Sequence, residues 1–225
     1  MAALKKINYP PLNPDLAYFC GVLAGDGYIG ICKHKHEYVV NCGGNPKDEV
    51  EFYDTVIAPL AEKLFGIPVK ARLLAGTYGF NIYSKNLVLY LTSEIGLPIS
   101  PKTNLSIPAV FYNNPKLVLH FIRGAADTDF SFGLKKRNYP RIAGSSKSKK
   151  FMEQISEILE EHGFKVVRSF DYKMNDIRLK KGYNIINRID LNEHTQFQKW
   201  VKLIGTRQPK NRNKIREYKK KCLEK

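Results

Sequence analysis

Apolar residues recur with helical spacing in two short segments that resemble each other. Residues 13–27 read NPDLAYFCGVLAGDG, and residues 114–130 read NPKLVLHFIRGAADTDF. Both open with Asn-Pro, and an Asn at the N-cap followed by Pro at the first helical position favours the start of a helix. We therefore predict one helix from Asn13 and an equivalent helix from Asn114.

The rest of each half follows the same order of patterns. Each helix leads into a run of alternating polar and apolar residues, which predicts a hairpin. A helix closed by Gly66 or Gly163, a second hairpin and a final helix come next. The predicted elements lie at 27–44, 47–65, 67–84 and 86–95 in the first half, and at 131–146, 148–162, 164–191 and 193–204 in the second.

This repetition predicts an α+β fold made of two αββαββα repeats, at 1–97 and 114–205. Residues 98–113 are predicted as an ordered linker, because prolines at 98, 101 and 108 interrupt any helix there. Residues 206–225 form a tail with nine basic and two acidic residues. Its composition fits either a frayed terminus or an element that grips phosphates.

The net charge narrows the class of partner. The chain has 37 Lys and Arg against 21 Asp and Glu, a formal charge of +16, which attracts a polyanion. No window approaches 18 uninterrupted apolar residues, so a membrane partner is not expected. The first residues also lack the apolar core of a secretory signal. We predict an intracellular protein, in the cytoplasm or an organelle matrix, that binds nucleic acid.

The cysteines and histidines do not indicate a zinc site. The four cysteines form no C-x-x-C pair, and the histidines are scattered apart from His34 and His36. Reduced thiols are the expected state inside a cell.

Glycines near the end of each predicted helix indicate close helix packing. Gly21 and Gly25 lie four residues apart on one helix face, and Gly124 and Thr128 repeat the spacing. Glycine inside a helix costs roughly 1 kcal/mol relative to alanine, and close approach of two helix backbones gives a reason for that cost. Such packing would also bring together the aspartates that end the two segments.

These aspartates, Asp26 and Asp129, are 103 residues apart, which is the length of the repeat. Two adjacent carboxylates repel each other unless a cation lies between them or one takes up a proton. Oxygen ligands with positions left for water and phosphate suit Mg²⁺, and paired metals activate water and stabilise a leaving oxygen. The pattern therefore predicts hydrolysis of phosphodiester bonds.

The segments FCGVLAGDG, residues 19–27, and IRGAADTDF, residues 122–130, resemble the paired signature helices of LAGLIDADG homing endonucleases. The resemblance extends over about 200 residues. It implies signature helices packed at a pseudo-two-fold axis and two saddle-shaped antiparallel sheets that straddle DNA.

The resemblance also implies roles for individual residues. Asp26 and Asp129 would bind Mg²⁺, or Mn²⁺ or Ca²⁺ in its place, together with the main-chain carbonyls of Gly25 and Thr128. Polar or basic side chains from strand ends would surround the metals, and the candidates are Lys85, Asn45 and Lys147.

Two positions depart from the signature. Ala24 in the first copy corresponds to Asp127 in the second, and Gly27 corresponds to Phe130. We expect Asp127 to be a helix-end or interface residue rather than a third ligand. Phe130 puts the backbone geometry of the second copy in question, although Asp129 stays in register.

Polar and basic side chains on the predicted strands are candidates for contacts with base edges and phosphates. His34 and His36 would lie on one face of a strand, where we favour DNA contact over metal binding. Which face of the strands meets DNA is left open. The candidates are Tyr28, Lys33, His34, Lys35, His36, Arg72, Lys135, Lys136, Arg137, Asn138, Tyr139, Arg141, Arg168 and Arg178.

Because the strand residues differ between the halves, the resemblance implies a monomer that cuts both strands of a long asymmetric target and leaves 3′ overhangs, as in intron homing. One alternative is a non-cleaving binder of the same fold, such as an intron RNA maturase or a DNA-binding regulator. A structural or ribosomal basic protein would explain the charge but not the paired motifs.

Overall fold

The computed structural model describes residues 6–134, 139–177 and 179–223. The predicted α+β fold of two similar halves is confirmed. In the first half, helix α1 (Pro14–Gly25) leads into strands β1 (Gly27–Cys32) and β2 (Glu37–Gly44). Helix α2 (residues 50–65, with a π-helical turn at Tyr53–Ile57) precedes strands β3 (Arg72–Leu74) and β4 (Thr77–Tyr83), and helix α3 (residues 85–94) closes the half.

The second half repeats this order after a short helix α4 (Ala109–Tyr112) in the linker. Its elements are α5 (Val118–Asp129), β5 (Phe130–Leu134), β6 (Pro140–Ser146), α6 (Lys149–Glu161), β7 (Val167–Asn175), β8 (Tyr183–Asn192) and α7 (His194–Leu203). The strand orders of the two antiparallel sheets, β1-β2-β4-β3 and β5-β6-β8-β7, are equivalent.

The predicted helix starts hold in the first half and shift in the second. Asn13 caps α1 by accepting from the amide of Leu16, with Pro14 at the first helical position. At Asn114, by contrast, the side chain accepts from the amide of Lys116 in a turn, and α5 begins only at Val118. The Asn-Pro pair therefore starts a turn that leads into the helix.

One predicted periodicity is wrong. Lys33–Lys35 form a 3-10 turn between β1 and β2, and His36 has a φ of 50°. The expectation that His34 and His36 share one face of a strand therefore fails, because neither residue lies in a strand. Both are exposed in the connection.

Each sheet has one covered face and one open face. Ile29, Val40 and Phe80 lie on the face that packs against the helices, where all three are buried. Tyr28, Asn41 and their neighbours alternate with them and remain on the open face. The open faces carry the side chains that a ligand lying across the sheets would meet.

The segments that follow the two halves cover the outer edges of β1 and β5. Ser100 of the linker donates its amide to the carbonyl of Ile29 in β1. The tail forms helix α8 (Pro209–Leu223), whose Lys214 donates to the carbonyl of Phe132 in β5. The tail is thus a packed helix, anchored by Tyr218, which is buried against Phe197. No helix in the described part of the chain is long and apolar enough to span a membrane.

Candidate active site

The two helices that carry the aspartates pack with their backbones in contact. A Cβ atom at Gly21 would lie 2.0 Å from the carbonyl oxygen of Phe121, and one at Gly124 would lie 2.0 Å from that of Tyr18. Positions 18 and 121 are themselves related by the 103-residue repeat, so the contact is reciprocal. The predicted reason for the helical glycines is therefore correct.

This packing brings the ends of α1 and α5 together. A Cβ atom at Gly25 would lie 2.0 Å from the hydroxyl oxygen of Thr128 and 3.1 Å from the Oδ2 atom of Asp129. Asp26 follows Gly25 directly as the C-cap of α1. The two aspartates thus come together at the ends of the paired helices, each directly before the first strand of its own sheet.

Their surroundings favour the protonated carboxyl groups. Burial raises the pKa of Asp26 to about 7, and the charges of Asp129 and Glu49 add to the increase. Burial also raises the pKa of Asp129 to about 6, although its side chain keeps an open side toward solvent and the nearby Lys102 ammonium opposes the increase. A cation bound between the carboxylates would relieve both effects.

Lys102 is a site residue that the sequence pattern does not identify. Its ammonium donates to the carbonyl of Leu23 at 3.1 Å, to that of Ala24 at 2.8 Å and also to that of Gly25. Burial lowers its pKa, while the negative charges of Asp129 and Asp26 oppose the decrease. A linker lysine therefore caps the C-terminus of α1, where the helix dipole favours a cation.

Tyr53 and Glu49 complete the first half of the site. The hydroxyl of Tyr53 donates to Asp26 at 3.2 Å. Glu49 is buried, and its carboxylate accepts from the amide of Asn45 at 2.7 Å. The Lys210 ammonium of α8 lies 3.7 Å from the same carboxylate. Tail, linker and first half therefore all contribute charge near Asp26.

Among the three predicted peripheral residues, Asn45 and Lys147 occupy equivalent positions, each directly after the second strand of its sheet and at the end of the sheet that carries the aspartates. Gly27, which follows Asp26, pairs with Cys42, and Asn45 lies three residues beyond Cys42. In the same way, Phe130 follows Asp129 and pairs with Gly144, and Lys147 lies three residues beyond Gly144. Both are exposed there.

The prediction for Lys85 is wrong. Its ammonium lies over the ring of Tyr38, 5.7 Å from the ring centroid. Tyr38 pairs with Ile31, four residues along β1 from Gly27. At roughly 3.3 Å per strand residue this places Lys85 more than about 10 Å from Asp26. Because β4 runs antiparallel to β2, its last residue lies at the far end of the sheet from the aspartates.

Asp127 is an interface residue, as expected, and it points away from the aspartate pair. The hydroxyl of Tyr18 donates to its carboxylate at 2.7 Å, the amide of Arg207 donates at 2.8 Å, and the hydroxyl of Thr206 also donates. Burial raises its pKa, and these hydrogen bonds oppose the increase. Asp127 thus fastens the segment before α8 to both signature helices.

Phe130 is accommodated by a small partner across the sheet. A Cβ atom at Gly144 would lie 2.2 Å from the Phe130 ring, whose other side packs against Trp200, with ring centroids 6.0 Å apart. In the first half the small residue lies on the other strand, because Gly27 after Asp26 pairs with the larger Cys42. The departure from the signature therefore leaves Asp129 at the helix end.

The structure places three of the predicted DNA-contact residues on the open faces of the sheets. Tyr28 and Arg72 lie on the open face of the first sheet, and Arg141 lies on that of the second. Lys35 and Tyr139 are exposed at the hairpin connections. Outside the described residues lie Lys135, Lys136, Arg137, Asn138 and Arg178, together with the side chain of Lys33.

The prediction for Arg168 is wrong. Its strand partner is Ile189, a core residue, so the side chain leaves the covered face of the sheet. The guanidinium donates to the Ser156 hydroxyl at 2.9 Å and pairs with Glu160, both on α6. Alternate residues of a strand point to opposite faces of the sheet, and the position of Arg168 directs its side chain toward the helices.

The donor set fits a hard divalent cation. No group of three His, Cys, Asp or Glu side chains within the described ranges is arranged to hold a metal by itself. Asp26 and Asp129 nevertheless form a pair of carboxylates whose pKa values are raised in part by neighbouring negative charge. Magnesium binds through one or two carboxylates and takes its other oxygens from water and phosphate.

Solved structures resemble this chain along most of its length. A structure of I-DmoI in complex with DNA and Ca is 19% identical, with a TM-score of 0.62, over 91% of this chain and 97% of that one. Variants of the homing endonuclease I-DmoI are 20% identical, with a TM-score of 0.58, over 85% and 88%. I-SmaMI bound to an uncleaved DNA target with calcium ions is 11% identical, with a TM-score of 0.54, over 93% and 90%. No protein-family model and no curated protein matches the sequence.

Proposed function

From the fold of the single-chain LAGLIDADG homing endonucleases, which this chain has, we propose that the protein is a site-specific DNA endonuclease. It hydrolyses both strands of a long asymmetric duplex with a bound divalent metal, leaves 3′ overhangs and acts as a monomer. The observation that carries this proposal is the reciprocal glycine contact, which brings Asp26 and Asp129 together at the ends of the paired helices.

In this proposal Asp26 and Asp129 hold the divalent cation, with one aspartate serving each DNA strand. The cation, when bound, supplies Lewis-acid stabilisation of the phosphate and lowers the pKa of an attacking water. Tyr53 orients the Asp26 carboxylate by its hydrogen bond. The buried Glu49 adds negative charge that favours cation binding.

Lys102 has a separate part. Its ammonium holds the last carbonyls of α1 in place and supplies a fixed positive charge beside the aspartates. A fixed charge in a site with little water stabilises developing negative charge on a phosphate more strongly than it would in bulk solvent. Asn45 and Lys147, which lie at equivalent exposed positions of the two halves, would contact the phosphates of opposite strands.

The sheets would bind the duplex through their open faces. The net charge of +16 favours association with DNA in a salt-dependent manner. Arg72 and Arg141, on the open faces of different sheets, would contact opposite half-sites. Because the halves carry different side chains, the target would not be a palindrome.

Cleavage selection from duplex DNA with randomised positions tests the proposal. With Mg²⁺, the protein should cut a subset of sequences in both strands. Asp26→Asn and Asp129→Asn should abolish double-strand cleavage while keeping binding to the selected site. Asp171→Asn, which changes an exposed carboxylate paired with Lys149 on the second half, should cut normally.

Two outcomes would contradict the proposal. Undiminished cutting by either active-site variant would refute the assignment of the site. Specific binding with no metal-dependent cleavage would instead indicate a non-cleaving binder of the same fold.

A further inference from the structure

A carboxylate on the open face of the second sheet holds two arginines. Asp190 in β8 accepts from the Nε atom of Arg141 in β6 at 2.5 Å, and the Nε atom of Arg188 lies 3.1 Å from its other oxygen. The Asp190 side chain is only 11% exposed, whereas those of Arg141 and Arg188 are 25% and 33% exposed. The carboxylate is therefore enclosed, and the guanidinium groups stay accessible.

The strand register places all three side chains on the open face. Arg141 pairs with Gly133, and Asp190 pairs with Ala143, which in turn faces Ser131. Cross-strand partners share a face of the sheet. Arg188 pairs with Ser145 and Ser169 on its two neighbouring strands. The other cross-strand partners on this face are Gly133 and Asn192 for Arg141, and Ala143 and Val167 for Asp190. Val167 stands beside Asp190 on this face, whereas both partners of Arg188 are serines, and both guanidinium groups stay accessible to a ligand lying on the sheet.

This cluster lies in the middle of the sheet rather than at its rim. Strands β6 and β8 are the two central strands in the order β5-β6-β8-β7. A duplex lying across the sheet would present its groove floor to the central strands and its phosphates to the margins. The paired carboxylate also leaves the cluster with a charge of only about +1, which weakens its attraction for phosphate relative to two free arginines.

We propose that Arg141 and Arg188, oriented by Asp190, read guanine bases in the half-site that lies on the second sheet. This inference rests on the proposed function and adds a base preference to it. Guanine presents two acceptors, O6 and N7, in the major groove, and the planar fork of arginine matches them. Asp190 is a positioning residue, because it binds one edge of each guanidinium and leaves the other edge for a base.

The first sheet lacks this cluster at the equivalent positions. Asn81 pairs with Asn41 just as Asp190 pairs with Ala143, so Asn81 is the equivalent of Asp190. By the same register, Val39 is the equivalent of Arg141, and Gly79 is the equivalent of Arg188. Asn81 accepts from the Asn41 amide at 2.6 Å. The guanine preference should therefore be confined to one half-site and absent from the mirrored base pairs of the other.

The test is affinity selection of randomised duplex DNA in EDTA, followed by binding measurements on single-base variants of the selected site. Wild-type protein should prefer guanine by about 10- to 100-fold at one or two base pairs of one half-site. Arg141→Ala and Arg188→Ala should each remove the preference at one base pair while retaining that at the others. Asp190→Ala should weaken both, and Asp190→Glu should restore part of the preference.

Arg168→Ala is the matched control, because it removes an arginine from the covered face of the same sheet. It should leave the base preference unchanged, and thermal unfolding will show that each variant folds. An unchanged guanine preference in the Arg141 and Arg188 variants would overturn the inference. A uniform loss of affinity for all sequences with a shallower salt dependence would also overturn it, because that result indicates phosphate contacts. Failure of the wild type to select any sequence would instead overturn the proposed function itself.

Discussion

Replacing Asp26 by Asn should stabilise the metal-free protein at alkaline pH. The folded protein holds the pKa of this carboxyl at about 7, against an ordinary value of 3.8 that applies when the chain is unfolded. At pH 8 the group is ionised in both states, so the folded state bears the cost of burying the charge. One pKa unit corresponds to 1.36 kcal/mol, which gives an upper limit of roughly 4 kcal/mol. Asn can still accept the hydrogen bond from Tyr53.

The pH dependence has a definite sign. Between the two pKa values the folded state binds more protons than the unfolded state, so stability falls as pH rises from about 4 to about 7. At pH 5 wild-type Asp26 is mostly protonated when folded, and the advantage of Asn should shrink to under about 2 kcal/mol. Urea unfolding of both proteins in EDTA, at pH 5 and pH 8, measures the two differences.

Magnesium provides a second comparison on the same proteins. A ligand that binds only the folded state raises its stability, so Mg²⁺ should raise the Tm of the wild type at pH 8 and have a much smaller effect on Asp26→Asn. The reasoning fails if the variant is no more stable than the wild type at pH 8 in EDTA. It also fails if the difference between the two proteins does not decrease at pH 5.

Three further substitutions probe the helix interface, the linker lysine and the buried carboxylate. Gly124→Ala should cost about 3 kcal/mol in urea unfolding, because its methyl group would collide with the carbonyl of Tyr18; an unaltered midpoint would contradict the close packing. Lys102→Met should slow single-turnover cleavage by about 100-fold while the Kd for DNA changes about twofold at most; an unchanged rate would remove Lys102 from the site. Asp127→Ala should cost about 3 kcal/mol, because it leaves the Tyr18 hydroxyl and the Arg207 amide without their acceptor. Asp127→Asn should cost less, and equal losses would argue against the hydrogen bonds as the cause.

The parts of the site that follow from local spacing could be predicted from the sequence. The Gly-to-Asp spacing appears twice, and backbone contact between helices requires small residues at those positions, so Asp26 and Asp129 followed from the repeat alone. Capping signals such as Asn13 likewise act over a few residues. The cap depends on neighbours in the chain. The helix contact joins residues far apart in the chain, such as Gly21 and Phe121, but the sequence shows its spacing twice.

The remaining site residues depend on chain segments that only the fold brings together. Lys102 lies 77 residues beyond the Gly25 carbonyl to which it donates, in a linker whose path along β1 has no local sequence signal. Arg168 was predicted to contact DNA without knowledge of the sheet face it occupies, because that face depends on a register that is set by its partner strand. Glu49 carried a weak signal, because an acidic residue four positions after Asn45 can accept from that residue's amide.

The reciprocal contact of Gly21 and Gly124 has a consequence for protein engineering. Each half offers the other one glycine and one backbone carbonyl, so the junction depends on backbone shape more than on particular side chains. Halves from different proteins that retain these glycines should therefore join without redesign of the junction. The contacts of Lys102 and Asp127 restrict this exchange of halves, because through them the segments that follow each half also bind the signature helices. A transferable module would have to include its own trailing segment.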